Sequence, residues 1–221
     1  MTHLRDAALA TIRDIGIIPV IRAPNADAAF AVAEALIGAG LPIAEVTMTV
    51  PGAIDVIASI IKTYGDRVLV GAGTVTDTVS AKRAIDAGAQ FIVTPCIVRD
   101  VMDVARRAEV AILPGALTPT EVFEAFRLGG DMIKVFPVGV AGASYIRSLR
   151  GPFPKIPLVP TGGVTLDNVR DMFDAGAAAV GVGSEMISRD ALARGDYAAI
   201  GAQAELFLAA TRPGGRRHSK S

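Results

Sequence analysis

Short apolar runs recur along the chain, each followed by a turn and then by a segment whose apolar residues fall at helical spacing. Residues 16–22 read as a first strand. Asn25 or Asp27 then caps an Ala-rich helix that stops near Gly38 and Gly40. A second strand is read at 43–48, with a helix opening at Pro51 in its first turn. Further strands fall at 68–72, 91–94, 111–113, 131–136, 156–160 and 178–182. The intervening helices are read at 77–86, through Arg106, from Thr118-Pro119-Thr120-Glu121, at 143–149, at 165–173 and at 197–210.

Eight strand-like runs alternating with helices, roughly 20–30 residues apart, argue a parallel sheet. Closing eight such units gives a (β/α)₈ TIM barrel, the expected fold. An open doubly wound sheet is the alternative, but no G-x-G-x-x-G follows the first strand: Gly71-Ala72-Gly73 is followed by Thr76 and Gly181-Val182-Gly183 by Met186. One domain is expected over residues 1–211, with a disordered basic tail at 212–221.

Composition narrows the chemistry. The chain has 221 residues, 51% of them hydrophobic but only 5% aromatic, as suits parallel strands covered on both faces. Its 22 basic and 22 acidic residues cancel, so no global field favours a nucleic-acid backbone. The single cysteine, Cys96, excludes an intrachain disulfide and points to a reducing compartment. No signal peptide and no membrane-length apolar run is visible, and a soluble cytoplasmic protein is expected. The two histidines, His3 and His218, lie near the chain ends. An interior Ser–His–Asp or Cys–His arrangement is therefore ruled out, and so is a histidine-bound zinc. No metal or cofactor is expected. Acid–base work must fall to carboxylates, lysine, tyrosine, hydroxyls or water.

In barrels of this kind chemistry sits at the C-terminal ends of strands. Among five lysines only Lys134 lies inside an apolar strand. Burial disfavours the charged form of an amine, and a free amine attacks carbonyls to form Schiff bases. Glu45 likewise interrupts an apolar strand. The second and sixth strands can bring it to face Lys134 across a lumen, where a carboxylate relays protons directly or through water. A buried Lys134–Glu45 ion pair without catalytic duty is the alternative for both. The Thr161-Gly162-Gly163 and Gly183-Ser184 strand ends suit a phosphate held by backbone N–H groups; tight-turn glycines are the plainer reading.

In order and spacing, several strings resemble the KHG/KDPG aldolase family, over about residues 16–210. They are Glu45-Val46-Thr47, Val70-Gly71-Ala72-Gly73-Thr74-Val75, Ile92-Val93-Thr94-Pro95, Leu113-Pro114-Gly115, Ile133-Lys134-Val135-Phe136-Pro137, Pro160-Thr161-Gly162-Gly163-Val164 and Gly183-Ser184. The resemblance implies a metal-free class I aldolase, a homotrimer of barrels, that cleaves 2-keto-3-deoxy-6-phosphogluconate to pyruvate and glyceraldehyde 3-phosphate. It implies Lys134 as the Schiff-base lysine and Glu45 as the general acid/base. Thr74 would hold the pyruvate carboxylate, Thr94, Pro95 and Phe136 would line the pyruvyl pocket, and Gly162, Gly163 and Ser184 would bind phosphate. Members that favour the gluconate substrate read Glu-x-Thr-x-Arg after the second strand, where this chain has Thr49. Arg22, ending the first strand, is implied as the compensating cation, as in related 6-phosphogalactonate aldolases. The galactonate epimer and 4-hydroxy-2-oxoglutarate are alternative substrates, and a non-catalytic sugar-phosphate-binding barrel is an alternative of another class.

Overall fold

Each apolar run becomes a short strand because its branched aliphatic side chains are buried on both sides. The computed structural model describes residues 4–211, so the basic segment expected at 212–221 lies outside the described residues. In chain order the elements are α1 (Leu4–Ile15), β1 (Ile17–Ile21), α2 (Ala26–Gly38), β2 (Ile43–Thr47), α3 (Ala53–Tyr64), β3 (Leu69–Gly73) and α4 (Thr78–Asp86). Then follow β4 (Phe91–Val93), α5 (Arg99–Arg107), β5 (Ala111–Leu113), β6 (Gly115–Ala116), α6 (Pro119–Arg127), β7 (Ile133–Val135) and α7 (Gly142–Arg150). The chain closes with β8 (Leu158–Pro160), α8 (Val169–Asp174), β9 (Val180–Val182), α9 (Arg189–Arg194) and α10 (Tyr197–Thr211).

The strands form an α/β fold with parallel pairing throughout. One sheet runs β5-β4-β3-β2-β1-β9 and a second runs β6-β7-β8. A parallel bridge between Thr161 and Gly181 links the end of β8 to β9. The fifth run is β5, and just past Pro114 an additional two-residue strand, β6, joins the other sheet. Every strand residue is buried, and a single apolar cluster extends from Ala8 to Ala210.

Helix starts follow local chemistry. Asn25 caps α2 by accepting from Ala28 N–H, and Thr118 with Glu121 forms a capping box on α6 with Pro119 just inside. Two expected starts are corrected. Pro51 does not open a helix: it sits in a turn, and α3 begins after Gly52, whose φ of 75° only glycine adopts readily. The helix read from Thr165 begins at Val169 instead. Asn168 takes the Thr165 N–H on Oδ1 (2.8 Å) and gives Nδ2 to the Gly163 carbonyl (2.8 Å), a local turn that displaces helix. The six-residue α9, between Ser188 and Gly195, was not anticipated. No helix among the described residues is long and apolar enough to cross a membrane.

Candidate active site

Lys134 is the middle residue of β7, in register with Gly115 of β6 and Val159 of β8. It is only 4% exposed, and its Nζ lies 5.1 Å from the centroid of the Phe136 ring. Glu45, central in β2 between Val20 and Gly71, is 2% exposed. Its Oε1 has no hydrogen-bond partner among the described residues. Burial pushes the Glu45 carboxyl above the ordinary carboxylate range, against the opposing pull of Lys134 and Arg22. Lys134 acts on Glu45 through its charge, with no ion pair between them within bonding distance among the described residues.

Room for the carboxylate depends on a glycine. A Cβ at Gly73 would stand 2.0 Å from Glu45 Oε1, so any larger residue at the end of β3 would evict it. The next residue, Thr74, holds a φ of 56°, a conformation that costs a non-glycine residue about 1–3 kcal/mol. Its hydroxyl lies 3.5 Å from an Arg22 guanidinium nitrogen.

A cavity of about 390 Å³ opens over these strand ends, lined among others by Arg22, Lys134, Phe136, Thr161, Gly162, Gly163, Ser184 and Arg189. One side of it is a glycine loop. Gly162 and Gly163 take φ values of 74° and 95°, and a Cβ on Gly163 would stand 2.5 Å from the Gly139 Cα, so two backbones touch there. The amides of Gly163, Val164 and Ser184 make no hydrogen bond among the described residues. Unengaged N–H groups on a glycine loop are ready donors to a phosphate or carboxylate.

Of the residues read from sequence, the cavity gathers Arg22, Lys134, Phe136, Gly162, Gly163 and Ser184. Glu45, buried and in electrostatic reach of Lys134 and Arg22, and Thr74, beside Arg22, are outside its lining. Three others also fall outside it. The exposed Thr49 spends its hydroxyl on Thr47 (2.7 Å), and Thr94 donates to the Cys96 carbonyl (2.6 Å). Pro95 lines a neighbouring cavity of about 370 Å³ that shares Phe136 with the first. Arg189 was missed. Its signal was a capping Ser188 and a stopping Gly195 around a six-residue helix, too short for periodicity to reveal.

The arrangement brings a buried amine, a guanidinium and a glycine loop to one cavity, with a buried carboxyl of raised proton affinity in electrostatic reach of the amine. Residues 9–203 match the model of the KDPG and KHG aldolases. The chain belongs to that aldolase family. It is 35% identical over 171 residues to the 2-dehydro-3-deoxy-6-phosphogalactonate aldolase of Escherichia coli K12, covering 77% of this chain and 83% of that one. It is 32% identical over 194 residues to the 2-dehydro-3-deoxy-phosphogluconate aldolase of Dickeya dadantii, covering 87% and 91%. In structure it resembles the KDPG aldolase of Legionella pneumophila, with a TM-score of 0.82 and 29% identity over 90% of this chain and 96% of that one. That enzyme was solved with pyruvate captured at low pH as a covalent carbinolamine. As an aldolase of this family the chain is a carbon–carbon lyase.

Proposed function

We propose that this chain is a class I aldolase that cleaves 2-keto-3-deoxy-6-phosphogluconate to pyruvate and glyceraldehyde 3-phosphate. The observation that carries the reading is Lys134: an amine 4% exposed, held mid-strand, yet lining the cavity that also holds Arg22 and the glycine cradle. Lys134 Nζ attacks the C2 carbonyl, water leaves, and the protonated imine becomes the electron sink. Glu45, directly or through one water, removes the C4 hydroxyl proton as the C3–C4 electron pair moves into the imine. Glyceraldehyde 3-phosphate departs, C3 of the enamine is reprotonated, and hydrolysis releases pyruvate. Arg22 and Thr74 hold the C1 carboxylate, Phe136, Thr94 and Pro95 shape the pyruvyl pocket, and Gly162, Gly163 and Ser184 take the phosphate.

Borohydride reduction in the presence of pyruvate should add one pyruvyl mass to Lys134, read by peptide mass spectrometry, and Lys134→Ala should abolish both label and cleavage. A label elsewhere or none overturns the reading in favour of an isomerase or a silent sugar-phosphate-binding barrel. A second substrate, the galactonate epimer, is favoured by one observation. Thr49 stands where gluconate-preferring members carry arginine, its hydroxyl is turned onto Thr47, and Arg22 reaches Thr74 in its place. Pyruvate release from both epimers, assayed side by side, decides between them.

The same reading takes residues 1–211 as one catalytic domain and its two sheets as arcs of one closed (β/α)₈ barrel. The Thr161–Gly181 bridge supports closure on one side. On the other, Asp131 N–H bonds to the Ile112 carbonyl (2.9 Å) and Lys134 N–H to the Pro114 carbonyl (3.0 Å), carrying β5 and β6 onto one neighbour. It also includes a homotrimer, supported by exposed Phe123 and Phe126 on α6, and a cytoplasmic location, where a multiply charged sugar acid is retained. Light scattering at three monomer masses checks the assembly.

A further inference from the structure

We infer that Arg189 is the cation that makes this site select phosphorylated substrates, closing on the terminal phosphate from α9 while the glycine cradle holds it from beneath. The inference rests on the aldolase reading and adds to it a side chain that none of the strand-end motifs contains.

The substrate of that reading carries two anionic ends, and the cavity carries two arginines on opposite sides of β1. Arg22, at the end of β1, faces the β2 and β3 side, where its guanidinium meets the Thr74 hydroxyl and its charge acts on Glu45. Arg189 follows β9, which pairs with β1 on the other edge, and shares the lining with Gly162, Gly163 and Ser184. The first cation is thus committed to the keto-acid end, next to the reacting carbon. The second stands with the unengaged amides of Gly163, Val164 and Ser184.

Arg189 is also uncommitted within the protein. It forms no ion pair and no hydrogen bond among the described residues, although Glu185, a carboxylate, lines the same cavity. Arg99 and Arg106, by contrast, pair with Glu124 and Asp103. A guanidinium that lines a cavity beside free amide donors, with no protein anion to satisfy it, fits a dianionic phosphate through paired N–H bonds. Backbone donors alone bind any anion of the right size. A guanidinium adds charge recognition, so loss of Arg189 should cost most where the substrate bears a phosphate.

The test compares kcat/KM on 2-keto-3-deoxy-6-phosphogluconate and on the same acid without phosphate, in wild type, Arg189→Met and Arg189→Lys. Arg189→Met should lose roughly 10- to 100-fold on the phosphorylated acid, the scale of one charge-assisted contact, and little on the other. Arg189→Lys should recover part of the loss, and inhibition by inorganic phosphate should weaken in parallel in Arg189→Met. Equal losses on both acids, or none on either, would overturn the assignment while pyruvate trapping on Lys134 left the aldolase reading standing. Absence of trapping in the wild type would overturn both.

Discussion

At the scale of single residues the site is organised around a carboxyl that the fold makes expensive. Glu45 is buried, its Oε1 lacks a partner among the described residues, and burial outweighs Lys134 and Arg22 in setting its proton affinity. A carboxyl whose folded value is raised binds its proton more tightly folded than unfolded. Native stability therefore falls as pH climbs from the ordinary glutamate value through the raised one. Glu45→Gln removes that dependence. Unfolding midpoints measured across this window should show the wild type losing ground to the variant as pH rises; parallel curves would mean that Glu45 is not held protonated. Activity should move the other way. Turnover of Glu45→Gln should drop by roughly 10²–10⁴, the usual worth of a positioned acid–base group, with pyruvate trapping on Lys134 retained. The acid limb of the wild-type profile should sit toward neutral pH, because the proton-accepting form is populated only above the raised value.

At the scale of elements, what was legible in the sequence followed burial, and what was not followed local competition. All eight apolar runs became strands, and the two charged residues interrupting such runs, Lys134 and Glu45, are both buried beside one cavity. A charge in an apolar strand is costly, and that cost is visible without coordinates. Breaks and starts were harder. Beyond Pro114 the two-residue β6 joins the other sheet, too short to stand out as a run, and Asn168 delays α8 through side-chain bonds that no periodicity records. Arg189 escaped notice because α9 has six residues and presents no stripe. The cradle, read from glycine spacing alone, yields an element-level prediction. Gly163 carries a φ of 95° and abuts Gly139, whose own N–H bonds to the Gly162 carbonyl at 2.7 Å. An alanine there must adopt the left-handed region, at about 1–2 kcal/mol, and push the two backbones apart. Gly163→Ala should raise KM for the phosphorylated acid about tenfold or more while the pyruvyl adduct still forms. An unchanged KM would remove the loop from the phosphate site.

At the scale of the whole molecule, the two ends of the strands carry different duties. The cavity opens at the C-terminal ends, where loops are free to vary, and the opposite end is held by α1. Arg5 on that helix bonds through Nε (2.9 Å) and a second guanidinium nitrogen to Asp131 Oδ1, just before β7. The other Asp131 oxygen accepts the Ile112 N–H at 2.9 Å, at β5. One carboxylate thus ties the first helix to two strands, and its side chain is only 5% exposed against 38% for Arg5. Removing the guanidinium leaves a nearly buried anion with half its partners, a loss of about 1–3 kcal/mol rather than the negligible value of a surface pair. Arg5→Met should therefore lower the unfolding free energy measured in urea by that amount, moving the midpoint down with no change in m. Lys134 is three residues along from Asp131, within the strand that Asp131 precedes, so a strand that shifted with α1 would carry the amine with it. Because β7 is held independently on both sides, through Gly115 and Val159, kcat and pyruvate trapping should stay within about twofold of wild type at temperatures where the variant is folded. A parallel fall in kcat would show that the helix end sets the position of Lys134 and that the division between a stabilising and a reacting face does not hold.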